Sequence, residues 1–160
     1  MRNRTPSFFL LATSLFAFAV PAGAAAIGGC IPGVYLVREG SGTQSLWSFS
    51  TGGTIHSTSS AQGALHFGDG YGAWKQGRGQ QVRSTFVDFS YNSSPIDGGF
   101  PPTSVARVDA VSTFSERCAE IHGTFELRFF DPASEDPLDP ATDAGGTITD
   151  TFTGRRVSAE

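Results

Sequence analysis

The clearest structural pattern in the chain is Ile121-His122-Gly123-Thr124-Phe125-Glu126-Leu127-Arg128-Phe129-Phe130. Its odd positions are apolar or glycine, and its even positions are His, Thr, Glu and Arg until Phe130. Successive side chains of a strand point to opposite faces, so this alternation is typical of a β-strand with one dry face. Similar short stretches lie between turn-rich segments on either side. We therefore expect an all-β fold in which an antiparallel sheet curls into a barrel.

Seven further strands are predicted at hairpin spacing. Tight glycine turns separate several of them, because glycine readily supplies the positive φ that such turns need. The eight predicted strands cover residues 33–39, 44–50, 54–58, 71–76, 81–91, 104–115, 119–130 and 147–157. The longer loops are predicted at 59–70, 92–103 and 131–146. Eight antiparallel strands in up-and-down order form a closed barrel whose interior accommodates side chains or one small ligand.

The first 26 residues have the pattern of a secretory signal peptide. Arg2 and Arg4 precede an apolar run, and small residues follow Pro21. This is a basic start, an apolar core and an A-x-A cleavage site. The run of about 13 apolar residues is too short to cross a bilayer core of ~30 Å, so no membrane span is expected. We predict a signal peptide at 1–26, an N-terminal linker at 27–32 and a barrel domain at 33–160, in a secreted or periplasmic protein.

The chain has two cysteines, Cys30 and Cys118. In an exported protein such a pair is more often a disulfide than two free thiols. Closing a loop of about 88 residues contributes roughly 4 kcal/mol in the chain-entropy account. The alternative is that Ile27-Gly28-Gly29-Cys30 is a bacterial lipobox, in which the cysteine is lipidated. Lipidation and the disulfide exclude each other.

Charge and composition argue against several partners. The net charge is −4 and no basic run is present, so neither nucleic acid nor an anionic membrane surface is an expected partner. The histidines His56, His66 and His122 show neither His-x-His nor His-x-x-x-His spacing, so no metal site is predicted. No activated-serine motif or phosphate-binding loop is present, and no cofactor is expected. The pattern carries no indication of oligomeric state.

The even face of the predicted strand 119–130 carries His122, Glu126 and Arg128. If this face pointed into the barrel, it would supply the acid, base and cation that a proton-transferring isomerase or cyclase needs. The apolar odd face favours the opposite orientation, with these polar residues on the solvated exterior.

The last long loop is acidic and contains three prolines. Carboxylate oxygens are the ligands that Ca²⁺ prefers, but the prolines and the irregular spacing fit a solvated loop better than a calcium site. The acidic residues in question are Asp131, Glu135, Asp136, Asp139 and Asp143.

The first and last predicted strands resemble a known family signature. Gly33-Val34-Tyr35 on the first strand, together with Arg155-Arg156 on the last, resembles the lipocalin and calycin signature, a Gly-x-Trp whose ring packs at the barrel floor under an arginine. This chain departs from the signature by having Tyr35 in place of tryptophan. The resemblance implies a calycin-like barrel in which Gly33, Tyr35, Arg155 and Arg156 are structural residues. It implies no catalytic residues.

Several other segments, in their order along the chain, are similar to a group of small secreted bacterial proteins of calycin-like appearance. The similarity covers nearly the whole predicted mature chain. The segments are Tyr35-Leu36-Val37, Phe49-Ser50-Thr51-Gly52-Gly53-Thr54, Gly72-Ala73-Trp74-Lys75-Gln76, Gly123-Thr124-Phe125 and Thr151-Phe152-Thr153-Gly154-Arg155-Arg156.

The favoured hypothesis is an exported barrel that binds a small apolar molecule in an aromatic interior. The predicted ligand-binding residues are Trp47, Phe49, Trp74, Phe86, Phe125, Leu127 and Phe152. One alternative is an isomerase or cyclase on the barrel scaffold, and another is a structural or interaction protein with a filled core. The first two hypotheses require a cavity inside the barrel, whereas the filled-core protein has none. An inward-facing carboxylate or histidine beside the cavity distinguishes the enzyme from the binding protein.

Overall fold

A computed structural model of the chain describes residues 29–96, 98–139, 142 and 146–159. The predicted signal peptide, the first part of the linker and Asp143 lie outside the described residues. Within the described part of the chain, no helix is long and apolar enough to cross a membrane.

Eight antiparallel strands form one closed barrel in sequence order, which confirms the predicted all-β up-and-down architecture. Each strand pairs with the next along the chain, and the last returns to the first. The strands are β1 (Gly33–Glu39), β2 (Gln44–Phe49), β3 (Thr54–Ser59), β4 (Gly70–Gln76), β5 (Gln81–Tyr91), β6 (Pro102–Phe114), β7 (Glu120–Phe130) and β8 (Thr147–Arg156).

The observed strands begin and end within one or two residues of their predicted positions. One difference is that β6 begins at Pro102, inside the segment predicted as loop, opposite Tyr91 and beside an irregularity in the register. Proline is tolerated at the first residue of a strand because its missing N–H is not needed there. A second difference is α1 (Gln62–Leu65), a single helical turn in the predicted loop 59–70, which His66 ends at a φ of 55°.

The connections differ in length at the two ends of the barrel. We call one end the floor, and it carries the short turns 50–53, 77–80 and 115–119. We call the other end the mouth, and it carries the connections 40–43, 60–69, 92–101 and 131–146. Turns alternate between the two ends of an up-and-down barrel. In this barrel three of the four mouth connections are long, and every floor turn is short.

Tyr35 lies at the centre of the floor and is fully buried. Its ring meets Phe49 and Phe114 edge-on, with centroids 5.7 and 5.4 Å away. Its hydroxyl lies 3.0 Å from the carbonyl oxygen of Ile31 and 3.1 Å from that of Cys118. Burial raises the pKa of Tyr35 despite the opposing charge of Arg156, so the phenol stays protonated and donates at neutral pH.

Arg156 joins the last strand to the first. It is opposite Tyr35 in the β1–β8 register, and its Nη1 donates to the Tyr35 hydroxyl at 3.3 Å. The guanidinium also donates to the carbonyl oxygens of Cys30 and Pro32, each at 2.5 Å. Its central carbon is 5.7 Å from the tyrosine ring centroid, near the outer limit of a cation–π contact, so the hydrogen bond is the closer interaction. Arg155 is exposed, because neighbouring residues of a strand face opposite sides.

Gly33 makes room for this arginine. A Cβ atom at Gly33 would lie 2.6 Å from Nη2 of Arg156, and the residue has a φ of 152°. A side chain here would displace the guanidinium, so the glycine is required by close approach as well as by backbone conformation.

Cys30 and Cys118 form the predicted disulfide, with an S–S distance of 2.01 Å. It links the segment before β1 to the floor turn 115–119. With its sulfur bonded to Cys118, Cys30 is not available for lipidation.

We predict that Tyr35→Phe lowers the free energy of unfolding by about 1–2 kcal/mol. The variant loses the hydroxyl proton shared between the carbonyl oxygens of Ile31 and Cys118, and it loses the acceptor for Arg156. Tyr35→Ala should cost about 3–5 kcal/mol, since the buried ring is lost as well. Urea unfolding followed by tryptophan fluorescence measures both. Tyr71→Phe is the matched control, because that tyrosine is exposed. A Tyr35→Phe variant as stable as the wild type would contradict the stabilising role assigned to this hydroxyl.

Candidate functional site

A cavity of about 400 Å³ occupies the mouth half of the barrel. This volume is within the range of about 300–1,000 Å³ that is typical of small-molecule sites. Four of the seven predicted ligand-binding residues line it: Trp47, Phe86, Phe125 and Leu127. Together with Val108 they form an apolar and largely aromatic wall midway along the barrel.

The other three predicted residues, Phe49, Trp74 and Phe152, are not part of the cavity lining. Phe49 packs at the floor against Tyr35, and Trp74 lies edge-on to Phe49 with centroids 5.9 Å apart. Phe152 packs against Trp47 at 4.6 Å, below the cavity. An eight-stranded barrel is narrow enough for such side chains to fill its cross-section, so these rings form the base of the cavity.

The mouth half is open because several of its inward-facing side chains are small. Ser45 and Ser57 are buried and line the cavity, as does Ala106. Nearer the opening the lining includes Ser59 and Ser90. Aromatic rings at these positions would fill the space, as they do at the floor.

Apolar side chains surround the opening. Leu65 on α1, Phe129 on β7 and Ile148 on β8 line the cavity, and their exposed fractions are 67%, 41% and 53%. Exposed apolar groups that cluster around a concave opening are typical of a binding site.

Asp88 projects from β5 into the cavity. It is only 8% exposed, and its Oδ1 has no hydrogen-bond partner among the described residues. Burial raises the pKa of Asp88 from the usual 3.8 to about 6. The carboxyl group is therefore largely ionised at neutral pH in a place where its charge is poorly solvated.

Two further carboxylates line the opposite wall, where β1 meets β8. Glu39 accepts a hydrogen bond from Ser45 Oγ at 3.0 Å, and Asp150 accepts one from the main-chain N–H of Ser41 at 2.9 Å. Burial is the main cause that raises the pKa of Glu39; the hydrogen bond from Ser45 opposes it, and the charge of Asp150 adds to it. Among the described residues that line the cavity, none is Lys, Arg or His, so the cavity has a negative charge.

The polar face of β7 lies outside the barrel, as its apolar odd face predicts. Arg128 Nη2 is 2.6 Å from Asp109 Oδ2 and Arg128 Nε is 3.3 Å from Glu126 Oε1. Arg107 binds Asp109 from a second side at 2.8 Å. His122 is exposed. An isomerase site built on His122, Glu126 and Arg128 is therefore excluded, because these residues face away from the cavity.

The three histidines lie apart from one another. His56 stacks on Tyr71 at 4.6 Å and lies 3.2 Å from Asp69, while His66 ends α1. Among the described residues, no group of three His, Cys, Asp or Glu side chains could hold a metal ion.

In the described part of the acidic loop, carboxylates bind neighbouring main-chain groups. Asp131 accepts from the N–H of Ala133 at 2.9 Å, and Asp136 accepts from the N–H of Leu138 at 2.8 Å. The loop is also attached to the outside of the barrel, since Arg107 donates to the carbonyl oxygen of Pro137 at 3.0 Å. These carboxylates stabilise turns of their own loop.

Comparison with models of protein families, with curated proteins and with solved structures finds no match to this chain. The calycin-like resemblance therefore rests on the residues and on the architecture. The barrel closes as that resemblance implies, with Tyr35 and Arg156 in contact where the first and last strands pair.

We predict that Asp88→Asn stabilises the folded protein at neutral pH. In the unfolded chain Asp88 ionises at its usual pKa of 3.8, whereas in the folded protein it ionises only near pH 6. As the pH rises between these values, the unfolded state is increasingly favoured, so the free energy of unfolding falls. The full effect corresponds to about 3 kcal/mol, so the variant should gain about 1–3 kcal/mol near pH 7.5 and much less near pH 4.

Urea unfolding at the two pH values measures this gain. Glu116→Gln is the control, because it removes one carboxylate from an exposed floor turn. If the free energy of unfolding of Asp88→Asn differed from that of the wild type by the same amount at both pH values, burial would not raise the pKa of Asp88.

Proposed function

We propose that this protein is an exported, calycin-like barrel that binds a small and predominantly apolar molecule in its cavity. The observation that carries the proposal is the cavity of about 400 Å³, walled by Trp47, Phe86 and Phe125 and open at the mouth. Its volume equals that of about 13 molecules of liquid water at roughly 30 Å³ each. This is room for a compound of two or three fused rings, whose burial against aromatic walls is favourable.

An isomerase or cyclase is the second candidate, and Asp88 favours it. A buried carboxyl whose pKa is about 6 can exchange a proton near neutral pH. Such reactions also need a donor that stabilises a developing negative charge. For that task the described lining offers serine and threonine hydroxyls and the indole N–H of Trp47, with two further carboxylates nearby, so binding is the better supported function.

Export is part of the proposal. It is supported by the signal-peptide pattern at the start of the chain and by the disulfide, since disulfides persist in oxidising compartments.

We predict that protein isolated from its own source begins near Ala25 or Ile27. Its intact mass should be lower than that of the reduced chain by two hydrogens, because Cys30 and Cys118 are bonded. Native mass spectrometry of the same sample should reveal a retained small molecule. A diacylglyceryl group on Cys30 would contradict the proposed processing.

We predict that Ser57→Phe weakens ligand binding by filling part of the cavity. Ser57 is buried and lines the cavity beside Trp47, its cross-strand neighbour. In calorimetric titrations with naphthylmethanol as an apolar probe, the variant should bind at least about tenfold more weakly than the wild type, a loss of about 1.4 kcal/mol or more.

Thr58→Phe is the matched control, because it adds the same ring to the outer face of the same strand. Circular dichroism checks that both variants are folded. A wild-type protein that neither binds the probe nor retains a small molecule would contradict the binding function, as would a Ser57→Phe variant that binds the probe with unchanged affinity.

A further inference from the structure

We propose that the ligand carries a basic nitrogen that is protonated at neutral pH and that Asp88 binds this group inside the cavity. The inference rests on the proposed function and adds the chemical class of the ligand: an apolar body with one ammonium group.

Asp88 is placed where a cation would compensate its charge. Its side chain is more than nine-tenths buried, faces the cavity, and has an Oδ1 without a hydrogen-bond partner among the described residues. A buried carboxylate is costly unless a cation or several donors compensate it. Since none of the described lining residues is cationic, a ligand ammonium is the group that would compensate it.

The wall that faces Asp88 is also negatively charged. In an eight-stranded barrel in sequence order, β5 lies opposite β1, and β8 is the neighbour of β1. Glu39 and Asp150 line the cavity from these two strands, and both already accept hydrogen bonds from neighbouring groups. Two carboxylates opposite Asp88 attract a cation towards the cavity, and the apolar walls focus the field there.

Several hydroxyl groups of the lining suit an ammonium group as well. An ammonium group has three donors and no acceptor, and the lining hydroxyls of Ser57, Ser59 and Ser90 can each accept a hydrogen bond. A ligand carboxylate would instead meet Asp88 without any cation in the described lining to balance it. The cavity therefore selects against anionic ligands such as fatty acids, because like charges in close contact are strongly unfavourable.

The test uses three probes that share one ring system and differ in charge. Naphthylmethylamine is cationic, naphthylmethanol is neutral and naphthoic acid is anionic at neutral pH. Calorimetric titration of the disulfide-bonded protein should give the tightest binding for the amine, by about ten- to a hundredfold over the alcohol, as expected for a hydrogen bond to a charged group. The acid should bind most weakly.

Asp88→Asn keeps the shape of the side chain and removes its charge. In this variant the amine should lose its advantage over the alcohol, because the charge that distinguishes the two probes has been removed. Glu116→Gln removes a carboxylate from the floor end and should leave all three affinities as in the wild type.

The outcomes separate the two proposals. If the alcohol or the acid binds the wild type as tightly as the amine, or if Asp88→Asn retains the preference for the amine, the ammonium inference is overturned and the apolar-ligand function stands. If none of the three probes binds the wild type, the ammonium inference is overturned, and if the protein from its own source also retains no small molecule, the apolar-ligand function is overturned with it.

Discussion

The pairing of β1 with β8 is the constraint on which the rest of this structure depends. An open sheet of eight strands would expose two edges and would enclose no interior. At the floor end of this pairing, Tyr35 and Arg156 share a hydrogen bond, and the guanidinium binds the main chain on both sides of Ile31. The disulfide attaches the same segment to turn 115–119. The floor is thereby fixed, and the cross-section of the barrel is fixed with it.

The barrel divides its interior between stability and binding. Rings such as Phe49 and Phe114 fill the floor half, where every floor turn is short. The mouth half holds several small side chains and a buried carboxylate, Asp88, which we expect to reduce stability at neutral pH. Natural proteins commonly keep unfavourable groups where a site needs them, and a filled floor can offset the cost of such a group.

The strand order and most strand ends could be predicted because glycine-rich turns separate short alternating segments. The inward face of β5 was harder to predict than that of β7, because both faces of β5 carry apolar residues. Phe86 points into the cavity, while Val87 packs outside against a second, smaller apolar cluster and Phe89 is exposed. Asp88 lies two residues from Phe86 and therefore shares its inner face, but the expectation of an apolar interior left this carboxylate out of the predicted site. Phe152 lies inside the barrel but below the cavity, because depth along the barrel axis depends on strand stagger, which alternation does not encode.

The closing pair of strands also has a consequence for the order of assembly. Tyr35 and Arg156 are 121 positions apart, whereas β5, β6 and β7 are consecutive along the chain. Because the entropy cost of closing a loop rises with its length, we expect the β5–β7 meander to form early and the β1–β8 pairing last. During synthesis, β1 would have one unpaired edge until β8 had emerged. The disulfide needs only the chain as far as Cys118, so it can form earlier and hold the first strand near the position where the last one docks.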